Sequence, residues 1–190
     1  MKKKYIILLC FLFFLFAGFN LFKSPEYQPP KSEQAVNKIL NKTAYTLKSQ
    51  YEMNPIATSV AMPGGIVKLM GLDFQICGPL TKESIRKILI SSAQELLLNI
   101  NSNTEIRPYL ETYPFTIKNI EIHLFILDPS RRRLDHPHIG IAGIVGGELD
   151  YLTLVSIENI PKKITESQET YEEAIKTLED EANEGKYPVW

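Results

Sequence analysis

The sequence predicts an α+β domain: a mostly antiparallel four-stranded sheet with two or three packed helices, preceded by one N-terminal transmembrane helix or signal segment. Three observations carry this reading. Residues 82–100 and 166–184 repeat apolar side chains at helical spacing, whereas 66–77 and 117–127 alternate apolar and polar residues with a period of two. Residues 5–22 (YIILLCFLFFLFAGFNLF) form an unbroken apolar run in which Asn20 is the only clearly polar side chain.

That first segment sets the organisation into residues 1–23, a Pro-rich linker at 24–31 and a domain at 32–190. As a helix, eighteen residues span roughly 27 Å, close to the ~30 Å hydrocarbon core of a bilayer. Thirteen of the eighteen are Leu, Ile or Phe, each contributing about −0.3 to −0.6 kcal/mol at the bilayer centre. Lys2, Lys3 and Lys4 outweigh Lys23, so the N-terminus is expected in the cytoplasm and the domain outside it. Small residues at both −3 and −1 would mark a cleaved signal. Ala17 or Gly18 supplies the second, but Leu15 or Phe16 occupies the first. An uncleaved anchor is therefore expected, with secretion after cleavage as the alternative.

The elements follow in order. Pro25, Pro29 and Pro30 make 24–31 a short stiff linker. Val36, Ile39, Leu40, Ala44, Leu47 and Tyr51 lie on one face of a helix over 33–51, with Ser32 as N-cap and Asn54-Pro55 ending it. After the turn Met62-Pro63-Gly64-Gly65, the residues Ile66, Met70, Leu72, Phe74 and Ile76 are expected on one side of a strand, with Asp73, Gln75 and Cys77 on the other, closed by Gly78-Pro79.

Thr81 caps the clearest helix, 82–100, whose stripe is Ile85, Ile88, Leu89, Ala93, Leu96 and Ile100; Arg86, Lys87, Gln94 and Glu95 are expected to face away. Strands are expected at 117–127, 138–145 and 149–157, the last two joined by Gly146-Gly147, a hairpin signal. Thr165 and Gln168 match a capping box opening the final helix, 166–184. Consecutive strands joined by short loops predict an antiparallel meander. The 33–51 helix either joins the helical layer or forms a stalk.

Charge and cysteine usage exclude several classes. Outside residues 1–23 the chain carries 17 basic against 22 acidic side chains, too acidic for a nucleic-acid surface. Cys10 lies in the apolar run and Cys77 is alone in the rest, which excludes a disulfide-stapled scaffold.

Candidate site residues are few. His123, His136 and His138 lie close in sequence, with Asp128 and Asp135 nearby, and imidazole with carboxylate can bind a metal or act as a general base. Their spacing matches no metal motif, and His123 is expected mid-strand while the others sit in a loop. Neither a metal nor a cofactor is implied.

Arg131, Arg132 and Arg133 form a compact basic cluster whose guanidinium groups suit a partner carboxylate or phosphate. Tyr187 and Trp190 are aromatic after an acidic helix and could dock in a partner's groove. No dinucleotide fingerprint, P-loop or nucleophile elbow is present.

The preferred expectation is a membrane-anchored, non-catalytic protein-interaction domain facing outside the cytoplasm. Two alternatives stand beside it: a small exported hydrolase using the His123, His136 and His138 region, and an oligomeric envelope structural protein.

Overall fold

Alternation decides which side of the sheet is buried. The computed structural model describes residues 27–158 and 160–184. Its elements are α1 (Lys31–Tyr51), β1 (Asn54–Ala61), β2 (Leu69–Cys77), α2 (Lys82–Asn101), β3 (Ile120–Leu127), β4 (Ile141–Val145), β5 (Glu148–Ile157), β6 (Ile160–Thr170) and α3 (Tyr171–Asn183). Ile120, Ile122, Leu124 and Ile126 of β3, with Met70, Leu72, Phe74 and Ile76 of β2, point to one side and are buried there. All three helices cover that side. α1 packs over β1 and β2, α2 over β3 and β4, and α3 against β5 and β6.

The α+β class and the mostly antiparallel sheet hold, but among the described residues the sheet has six strands rather than four, in the order β1-β2-β3-β4-β5-β6. Among the described strands only β2 and β3 pair in parallel, joined by the crossover through α2 that such a pair needs. The three strands β3, β4 and β5 form the expected antiparallel meander. Gly146 and Gly147 turn its second hairpin at φ of 61° and 93°, conformations that a two-residue turn needs and glycine accepts without strain.

The two additional strands lie at the edges. β1 pairs antiparallel with β2 directly after α1, with a bulge between Pro55 and Ala57. β6 occupies 160–170, so the expected 166–184 helix begins late. Thr170 accepts from the Glu173 backbone N–H while the Glu173 side chain accepts from Thr170, and this capping box replaces the one expected at Thr165 and Gln168. Register with β5 holds 160–170 extended from one end of β5 to the other.

α2 is the central helix, flanked by α1 and α3. This explains another departure from expectation. Arg86 does not face solvent; it is 6% exposed, and Ile90, Ser92 and Asn99 are buried as well. Asn99 donates to Thr43 Oγ1 at 3.1 Å, tying α2 to α1. α1 thus joins the helical layer rather than forming a stalk. Among the described residues no helix is long and apolar enough to cross a membrane. The expected anchor at 5–22 lies outside the described residues.

If the covered face carries the fold, truncation there and on the exposed side of the same helix should differ. Leu89→Ala, at a fully buried position, should cost about 2–5 kcal/mol in urea denaturation. Leu98→Ala, where Leu98 is 63% exposed, should shift stability by less than about 0.5 kcal/mol.

Candidate functional site

With all three helices on one side, the chemistry available to a partner lies on the other side, in the loops and at the two sheet edges. Register places Ala57, Asp73, His123, Gly143, Asp150 and Gln168 in one row across the helix-free face. Asp73 and His123 are directly opposed, and His123 Nδ1 lies 2.9 Å from Asp73 Oδ1. A carboxylate only accepts, so in this contact Nδ1 is the donor. The ring also leans across β4: a Cβ on Gly143 would come within 2.8 Å of its Cδ2, so the position needs glycine.

One row along, Ser59 Oγ donates to Glu121 Oε2 at 3.4 Å. Toward the end of β3 the face turns apolar, with half-buried Phe125, Ile141 and Leu152 in register.

The three histidines are not brought together. His123 opposes Gly143 in mid-strand, whereas His138 lies in a bend three residues before β4, its backbone N–H donating to the Asp135 carbonyl. His136 is held beyond the row of His123 as well, its backbone N–H donating to the carbonyl of Leu154, four residues along β5 from Asp150. Among the described residues no group of three His, Cys, Asp or Glu side chains could hold a metal ion.

Nor do the three arginines form one grip. Arg132 is occupied by Asp128, with Nε 3.0 Å and Nη2 2.9 Å from Oδ2. The Asp128 carboxyl is held below the usual range, first by the Arg132 backbone N–H. Arg133 turns inward to Asp135 and Ser156. The Asp135 carboxyl is likewise held low, first by the Ser156 hydroxyl and then by Arg133. Arg131 is exposed, at φ 61°. Tyr187 and Trp190 lie outside the described residues.

A polar cluster on the helix side escaped the sequence reading. Arg86 Nε donates to Glu169 Oε1 at 2.9 Å, Tyr151 donates to the same oxygen, and Glu181 stands 3.8 Å from Arg86 Nη1. Lys82 Nζ lies 4.5 Å above the Tyr151 ring. Burial disfavours the Arg86 charge, but the Glu169 hydrogen bond and charge outweigh it and keep the guanidinium pKa raised. Burial, with Glu169 beside it, raises the Tyr151 pKa far above its ordinary value. These groups fasten β6 and α3 to α2 and β5. They compensate for a strand with few apolar side chains.

The two sheet edges differ sharply in charge. β6 exposes Ile160 and Ile164, but Lys162 and Lys163 stand between them, and its sequence also includes Pro161, Glu166 and Glu169. Charges and proline on an edge oppose pairing with another chain. At the other edge, β1 reads NPIATSVA without a single charge, inside an uncharged run from Met53 to Val67. Ile56, Val60 and Ile66 are exposed along it. Among the described residues no strand pairs with its outer side. The signal was present in the sequence as that uncharged run with Ile, Thr and Val, but Pro55 masked it.

No family model matches the chain, and neither the curated proteins nor the solved structures give a match.

The Tyr151 environment sets an alkaline limit. Folded Tyr151 keeps its proton above pH 10.0, its ordinary pKa, where the unfolded chain releases it. The folded state therefore binds more protons there, and stability falls as pH rises above that value. Tyr151→Phe should reduce the fall in urea midpoint between about pH 9 and about pH 11. A residual slope should remain from Tyr171, which burial also raises.

Proposed function

We propose that this chain is a non-catalytic protein-interaction domain, held outside the cytoplasm by residues 5–22, that receives an extended strand of another polypeptide along β1. The observation that supports it is the uncharged, exposed β1 edge beside an opposite edge that carries charge. Strand addition uses the unpaired N–H and C=O groups of an edge for affinity and alternate side chains for selection. The apolar segment 5–22, with its lysine cluster on the N-terminal side, supports the membrane location.

A second reading, a small exported hydrolase, is favoured by one feature, the Asp73–His123 pair. An aspartate on Nδ1 orients an imidazole as a general base. Ser59, the hydroxyl on the neighbouring row, is engaged with Glu121 instead.

Cross-linking in native membranes separates these readings. A photoreactive residue replacing Thr58 in the full-length chain should give protein adducts in clear excess over the same residue at Lys162. Val60→Lys should abolish that excess. Protease added to spheroplasts should cut the domain. Equal yields at the two edges, or a domain cut only after lysis, contradict the proposal. Hydrolysis of nitrophenyl esters by the purified chain, lost in His123→Ala, would favour the hydrolase.

A further inference from the structure

We infer that the strand added to β1 is the β1 of a second copy of this chain, paired antiparallel across a two-fold axis normal to the sheet. The inference rests on the strand-addition reading and names its partner. Three observations select a second copy.

The first is charge. Pairing β1 with itself places like residues near like residues, and any Lys or Glu there would repel its own counterpart. Glu52 and Lys68 are the charges flanking the run, and none lies between them. Complementary charge, one means by which an interface selects a different protein, is lacking along this edge. The second is shape. Ala57, Ser59 and Ala61 lie on the helix-free face, while Thr58 and Val60 alternate to the other. Antiparallel pairing centred near Thr58 or Ser59 sets small residues against small ones on one face, and β-branched residues against each other on the other face. Such a contact is self-complementary, as a two-fold interface must be.

The third is geometry. A two-fold axis normal to the sheet keeps every helix on the same side, joining two six-stranded sheets into one. It also brings α1, which packs over β1, alongside its counterpart. The bulge between Pro55 and Ala57 limits the paired stretch to 57–61. So short a pairing buries less than a standard interface of roughly 1,600 Å². Anchors in one membrane offset this by raising the effective concentration of copies.

Cysteine scanning tests the inference on the full-length chain reconstituted in phosphatidylcholine vesicles. Cys10 and the exposed Cys77 are replaced by serine, and single cysteines are placed at positions 57 to 61. In the proposed register, a residue at the axis faces itself at about 5 Å between Cβ atoms, near disulfide reach. Residues two positions away are separated from their counterparts by roughly 13 Å.

Oxidation with copper phenanthroline should therefore give a covalent dimer that peaks at 58 or 59 and is lost toward 61. A peak at 58 should disappear when Val60→Lys is added, and return with Val60→Thr. A flat profile overturns the second-copy inference. If Thr58 adducts in native membranes then contain only other proteins, strand addition stands without self-pairing. If Thr58 forms no adduct in excess, both readings fall.

Discussion

The structure depends on one constraint: the alternation of β2 and β3 commits a single face of the sheet to burial, and α2 covers it. Ile120, Ile122, Leu124 and Ile126 beside Met70, Leu72, Phe74 and Ile76 make that face continuous. Each buried aliphatic contributes about 1.5–3 kcal/mol, and none could move to the opposite face without a one-residue slip that exposes the whole set. The parallel pairing of β2 with β3 follows from the same constraint, because the helix between them must return over the face it covers. α1 and α3 then extend the cover toward the two edges. One side of the sheet is left without helices, and the side chains there are free to serve something other than packing.

The edges show how that freedom is managed. β6 has little apolar surface to bury, and Glu169 fastens it inward through Arg86 and Tyr151. Breaking such a buried pair by removing one partner typically costs about 3–5 kcal/mol, so the charges there specify position as much as they stabilise. Its lysines guard the outer side. β1 has neither device. An unguarded edge exposes a protein to unwanted pairing, and a segment of Ile, Ala, Thr, Ser and Val without charge is poorly suited to remain unpaired in water. The proposed function treats this edge as the place where another chain binds.

Legibility in the sequence followed how much each element owes to its own residues. The β3 strand, the Gly146-Gly147 hairpin and the α2 stripe were readable because alternation, turn chemistry and helical spacing are local. β1 was missed because Pro55 follows the end of α1 and its exposed residues carry no alternation. β6 was missed because IPKKITESQET lacks an apolar face; it is extended through its register with β5 and the Glu169 contacts. Arg86 looked solvent-facing because a helix flanked on both sides buries more than one stripe. The Asp73–His123 pair joins residues fifty positions apart, and only the parallel register reveals it. His136 and His138, near in sequence, end up at a strand's end by the same register.

The central claim is that a second copy of the chain covers the outer edge of β1 when the protein is at work. Hydrogen exchange of the full-length chain measures this most directly, by comparing the chain in vesicles with the chain diluted in detergent micelles. The account predicts that amides in 57–61 exchange more slowly in vesicles and speed up on dilution, while β3 stays protected in both. Exchange in 57–61 that is equally fast in both settings, with β3 protected, would contradict it.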